Sequence, residues 1–179
     1  YNAEANGDDK AIIGRLIDFY YSIRAGIGAH KSPELYGAFS TDPYSHTPAQ
    51  KGAQQPGMTG QVKEDILNRW AELGVRVEEG KVSFKPAFLD KREFLNESGS
   101  FIYYAVDGTK QMIQLNAGQL AFTYCQVPIV YQKAQTNGIQ ISFTDGSKAT
   151  ITGNQLTPEL SEQLFKRTGE VERIEVSIM

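Results

Sequence analysis

Asn137-Gly138-Ile139-Gln140-Ile141-Ser142-Phe143-Thr144-Asp145-Gly146-Ser147-Lys148-Ala149-Thr150-Ile151 decides the fold of this 179-residue chain. Ile139, Ile141 and Phe143 alternate with polar residues up to Asp145-Gly146, and Ala149 and Ile151 follow. Alternation with period two places apolar side chains on one face of a strand. An Asp-Gly pair between two such runs marks a hairpin, because glycine accepts the positive φ that the tight turn requires. The spacing predicts two antiparallel strands.

The same grammar extends in both directions. Val82 and Phe84 alternate. Phe101 to Val106 is apolar and aromatic and closes on Asp107-Gly108, and Gln111 to Leu115 leads into Asn116-Ala117-Gly118. Leu120 to Cys125 and Val127 to Tyr131 form a nearly continuous run broken by Pro128, which favours an edge or a bulge there. Thr157-Pro158-Glu159 predicts a short helix through about Arg167, with Thr157 as cap and Pro158 at the first position, stopped by Gly169. Ile174, Val176 and Ile178 alternate as a last strand. About seven or eight short strands with tight turns argue for an antiparallel β-sandwich over 77–179. Tyr103, Tyr104, Tyr124 and Tyr131 are expected to pack it.

Before residue 77 the periodicity is helical. Asp8 and Asp9 suit a helix start, where acidic groups oppose the helix dipole. Ile12, Ile13, Leu16, Ile17, Phe19, Tyr20 and Ile23 then make a wide apolar stripe that ends around Gly26 or Gly28. Such breadth predicts packing against other helices, from a longer parent or from a dimer partner. Val62, Ile66, Leu67, Trp70 and Leu73 fall at helical spacing behind Thr59, with Gly74 as a stop and Trp70 expected in the core. Residues 1–76 therefore read as a helix–loop–helix segment, and the whole chain as α+β.

Net charge is −3 with no long basic run, which makes nucleic acid and anionic membrane surfaces poor partners. The single cysteine, Cys125, excludes an internal disulfide and reads as a small buried side chain in a strand. One Cys and two separated His give no zinc site. No apolar run reaches transmembrane length. Asn96-Glu97-Ser98 is a formal glycosylation sequon. The chain opens on Tyr1, so its cellular address is not readable.

The chemistry concentrates in Gly37 to Gly60, a stretch without apolar periodicity that holds three of the seven prolines and one of the two histidines. Loops of this length in compact proteins are functional or disordered, and Phe39, Tyr44 and Met58 supply apolar anchors. Thr59 is a good N-cap, with Gly57 and Gly60 leaving room for close approach, so the first turn offers free N–H groups to an anion. Thr59 equally serves as a simple cap. Asp42 is the carboxylate to test as a base, or an Asp-Pro turn residue. His46 can donate to phosphate or a sugar hydroxyl, or be a satisfied loop histidine. Gln54 and Gln55 can bond sugar hydroxyls or phosphate oxygens.

The order of these features resembles the C-terminal part of inverting carbohydrate phosphorylases of the cellobiose phosphorylase type, in which an (α/α)6 toroid is followed by a small β-sandwich. The resemblance is carried by Asp42-Pro43-Tyr44, by Gly57-Met58-Thr59-Gly60, and by Gly80-Lys81-Val82-Ser83-Phe84-Lys85-Pro86. It implies that 1–76 is the end of a toroid and that Thr59-Gly60 helps hold inorganic phosphate. The family's general acid lies in upstream helices, so the resemblance implies one wall of an active site rather than a complete catalytic set. The partners implied are a carbohydrate, inorganic phosphate, and the N-terminal part of the same protein or a dimer partner. No cofactor is implied. In glycosyl transfer with inversion, a hydrolase needs a second carboxylate to activate water, whereas in a phosphorylase phosphate takes that place. A non-catalytic structural or carbohydrate-binding β-sandwich module is the alternative.

Overall fold

A computed structural model describes residues 6–27 and 59–179. The chain divides into two compact units, Tyr1–Arg69 and Trp70–Met179. The architecture is α+β, with three α-helices and nine strands among the described residues.

In the first unit, α1 spans Lys10–Ile27. Asp9 starts it: its carboxylate accepts from the Ala11 amide at 2.7 Å and its carbonyl from Ile12 and Ile13. Capping satisfies amides that the first turn leaves without partners. Ile12, Leu16 and Phe19, three and four residues apart, stay 45%, 53% and 66% exposed, so the stripe expected from the sequence is present and uncovered among the described residues. Helix α2 spans Thr59–Leu73 and runs across the boundary of the two units; Thr59 is its first residue rather than the capping residue ahead of it, and Gly74 follows its end.

Gly74, within the second unit, turns the chain from α2 into the strands. It sits at φ +68°, and a Cβ there would fall 2.1 Å from the Lys85 carbonyl carbon. Only glycine allows both the left-handed conformation and that approach. The hairpin β1 (Val75–Glu78) and β2 (Lys81–Phe84) follows. The other edge of β2 bonds the 154–156 stretch, Phe84 N–H to Asn154 O and Leu156 N–H to Val82 O, both at 2.8 Å. A single 3-10 turn over Lys91–Glu93, capped by Asp90, leads to the hairpin β3 (Gly99–Tyr104) and β4 (Lys110–Leu115).

The remaining strands are β5 (Gln119–Tyr124), β6 (Val127–Lys133), β7 (Gly138–Phe143), β8 (Lys148–Thr152) and β9 (Val171–Ile178). They form one sheet in the order β5-β6-β9-β7-β8. The Asp145-Gly146 hairpin is there as expected. The sheet is not wholly antiparallel, because β9 runs parallel to β6. The connection that makes this possible passes through α3 (Pro158–Lys166), long enough to return the chain to the same end.

Pro128 is on neither an edge nor a bulge. It pairs with Thr123 inside the sheet, and the partnership of β6 with β9 begins only at Ile129. The missing N–H therefore falls ahead of the second ladder. Helix α3 starts as expected, with Thr157 accepting from Leu160 N–H and Pro158 in the first turn, but Arg167 at φ 50° ends it, not Gly169.

One face of the sheet carries the main core, built by Val127, Ile129 and Tyr131 of β6, Ile139 and Ile141 of β7, and Ile174 and Val176 of β9. Phe84, Leu156 and Leu164 belong to the same cluster. Burying each such side chain contributes about 1.5–3 kcal/mol before chain entropy is set against it. Tyr131 is fully buried, with Phe84 and Phe122 edge-on to its ring at 6.2 and 5.1 Å, and its hydroxyl donates to the Leu73 carbonyl at the end of α2. Val130 points to the opposite face and is also buried, so that face is covered there as well.

Candidate functional site

Asp42, His46 and Gln55 lie outside the described residues, as do Gln54 and the rest of 28–58. Thr59 and Gly60 are the first two residues of α2, whose first turn contains no acidic residue. The positive end of that helix dipole is thus not neutralised by its own side chains.

A second locus lies in the Trp70–Met179 unit. Ser142 of β7 pairs with Arg173 of β9, whereas the next residue, Phe143, pairs with Val171. Glu172 is therefore the extra residue of a β-bulge. Bulges re-aim side chains and are frequent beside functional sites. Beyond it, Arg173 and Glu175 share the sheet face opposite the core and form an ion pair at 3.2 Å, 34% and 28% exposed. Gln140 is cross-strand from Glu175.

The hairpin β3–β4 carries two aromatic rings on one face. Phe101 and Tyr103 alternate onto one face of β3, and their rings lie nearly parallel, 12° apart with centroids at 6.2 Å. Burial pushes the Tyr103 phenol above its ordinary value, the nearby Glu172 carboxylate adds to the rise, and the Arg173 guanidinium opposes it. Gln111 is cross-strand from Tyr103 and Ile113 from Phe101. Among the described residues no group of three or more His, Cys, Asp and Glu side chains is placed to hold a metal.

The turn between β5 and β6 is a third feature. Tyr124 pairs with Val127, leaving Cys125 and Gln126 as a two-residue loop at φ 51° and 66°. Such loops favour Asn and Gly, because other residues meet steric cost at positive φ. Gln126 Nε2 donates to Ala105 O at 3.2 Å, which ties the turn to the end of β3. Cys125 is a half-buried turn residue rather than a strand residue. Burial raises its thiol pKa, with Arg167 opposing, so it lacks the thiolate character of a reactive cysteine.

The aromatic residues divide in a way the sequence did not anticipate. Trp70, expected in the core, is 46% exposed with its ring edge-on to Tyr124 at 6.0 Å. Tyr131 packs as expected, Tyr103 and Tyr124 are half-buried, and Tyr104 is 61% exposed. Tyr104 shares the outer hairpin face with Ile102 and Met112, both exposed. The signal for a two-faced strand was the unbroken run Phe101-Ile102-Tyr103-Tyr104, which is apolar at successive positions rather than alternate ones. The bulge at Glu172 carries no sequence signal, because it depends on register with β7.

No family model and no curated protein matches this chain.

Proposed function

We propose that this chain is the C-terminal segment of a carbohydrate-active enzyme, a glycoside phosphorylase or glycosidase. Its 37–60 loop contributes to an anion- or sugar-binding site without supplying a complete catalytic set. The observation that carries the reading is the start of α2 at Thr59-Gly60, directly behind the Gly- and Pro-containing loop, with no acid in its first turn. Backbone N–H groups there suit phosphate or a sugar hydroxyl. His46 and Gln55 are the loop donors and Asp42 the candidate base.

The uncovered apolar faces support membership of a larger helical layer, such as a toroid. Ile12, Leu16 and Phe19 on α1, and Ile66 and Leu67 on α2, are all exposed. In this reading the β3–β4 hairpin and the five-stranded sheet are the two layers of the closing sandwich. Phosphate-dependent cleavage of a glycoside by the protein containing this segment, lost in Thr59→Ala and His46→Ala, is the expected result. Cleavage without phosphate would favour the glycosidase. Unchanged activity in Asp42→Ala, His46→Ala and Thr59→Ala would overturn the loop's role.

The second reading is a non-catalytic structural or carbohydrate-binding module. It is favoured by the Trp70–Met179 unit having a core of its own, with Tyr131, Ile129, Ile141 and Val176 fully buried.

A further inference from the structure

We propose that strand β8 is a self-association surface: its outer edge pairs antiparallel with β8 of a second copy of this chain, in a register centred on Thr150. The surface belongs to the five-stranded sheet and does not depend on the reading of the 37–60 loop.

Hydrogen-bond phase defines the edge. β8 ends the order β5-β6-β9-β7-β8, and among the described residues it pairs with β7 alone. Phe143 N–H donates to Ser147 O at 3.0 Å at one end of that hairpin, and Gly153 N–H donates to Asn137 O at 3.2 Å at the other. Antiparallel ladders alternate bonded and non-bonded pairs, so Ala149 and Ile151 turn their N–H and C=O groups toward β7. Lys148, Thr150 and Thr152 turn theirs outward, where no backbone group among the described residues meets them. The opposite edge of the sheet differs, because Gln119 O of β5 already accepts from Leu95 N–H at 2.9 Å. An open row of donors and acceptors is a template for another strand unless bulges, prolines or charges guard it. β8 reads Lys-Ala-Thr-Ile-Thr, with one charge at its start and an unbroken register against β7.

The pattern of β8 selects a second copy as the occupant. With Thr150 opposite the partner's Thr150, Lys148 lies opposite the partner's Thr152, and the reverse pair follows by symmetry. All three outward N–H groups and all three outward C=O groups of each edge then find partners. Other registers of the same phase lose pairs. Centring on Ala149 sets Thr152 against Gly146, whose N–H already donates to Phe143 O. Centring on Ile151 sets Lys148 against Asn154, whose carbonyl already accepts from Phe84 N–H. Centring on Lys148 opposes two ammonium groups. Cross-strand threonine pairs are favourable, whereas like charges directly opposite are not. The core-facing side chains suit the same register: Ala149 meets the partner's Ile151, and in the single chain Ala149 and Ile151 are only partly buried against the core. Pairing covers the apolar surface that they leave open, and the two sheets become one.

The test is sedimentation of the whole chain from about 1 µM to about 1 mM, a range set by the weak affinity of small interfaces, with amide hydrogen exchange at its two ends. A reversible monomer–dimer equilibrium should appear. The Lys148, Thr150 and Thr152 amides should exchange fast in the dilute sample and slowly in the concentrated one, and those of Ala149 and Ile151 slowly in both. Thr150→Lys sets two cations opposite each other at the centre and should weaken the dimer at least about tenfold, while the urea midpoint of the dilute protein stays in place. Thr150→Pro removes an outward N–H and no ladder bond to β7; it gives a second reading and should act in the same direction. A chain that stays monomeric over the whole range overturns the proposal. So does a dimer that both folded variants form as tightly as the unaltered chain, or one that leaves the three outward amides unprotected.

Discussion

Three residues show how local chemistry fixes this molecule. Gly74 cannot be replaced: Gly74→Ala would drive a Cβ into the Lys85 backbone and strain a φ of +68°. We expect a loss of more than about 3 kcal/mol, or no folded protein, in a urea titration. Cys125 is the opposite case. At φ 51° it occupies a turn position that Asn fills at less cost. Cys125→Asn should raise stability by up to about 1 kcal/mol, read as a higher denaturation midpoint, and a lower midpoint would show that the thiol packs usefully. Tyr131 couples stability to pH. Burial raises its phenol well above the ordinary 10.0, so the folded state holds the proton that the unfolded state releases. Its contribution is therefore complete below about pH 10 and declines as pH rises beyond it. Tyr131→Phe should flatten alkaline unfolding while costing about 1 kcal/mol at neutral pH, because the Leu73 carbonyl loses its donor.

At the scale of elements, α3 is held to β2 by one hydroxyl. Ser161 Oγ donates to Thr157 O at 2.8 Å and accepts from Val82 N–H at 3.0 Å, with no exposure. Ser161→Ala leaves a buried N–H without an acceptor and should cost about 1–3 kcal/mol, measured by thermal or chemical unfolding. A loss below a few tenths would mean that Val82 finds another partner. The outer face of β3–β4 should behave differently. Ile102, Tyr104 and Met112 are exposed, so Met112→Gln should change stability by less than about 0.5 kcal/mol. Elements with strong local grammar were legible in the sequence: the Asp145-Gly146 hairpin, the Thr157-Pro158 helix start and the Gly74 stop. Features set by distant partners were not. Pro128 reads as an edge residue, yet it sits inside the sheet because β9 begins pairing one residue later. Arg167 takes the left-handed cap that Gly169 advertised.

For the whole molecule, the α+β class was legible because period 3.6 gives way to period 2 near residue 75. The parallel pairing of β6 with β9 was not, since nothing in Ile174, Val176 and Ile178 declares direction. The same holds for the candidate sites. A helix start beside Thr59 was readable from the Thr-Gly pair, although the helix takes in Thr59 itself rather than starting behind it. The bulge at Glu172 was not, because it depends on the register of β9 with β7. The central claim is that the 37–60 loop and the start of α2 bind phosphate or a small sugar. The most direct test is a calorimetric titration of the chain with inorganic phosphate and with cellobiose, before and after Thr59→Ala. The account predicts heat of binding to at least one of them, lost in Thr59→Ala. Absence of binding, or binding that Thr59→Ala leaves untouched, would contradict it and leave Thr59 as a helix cap.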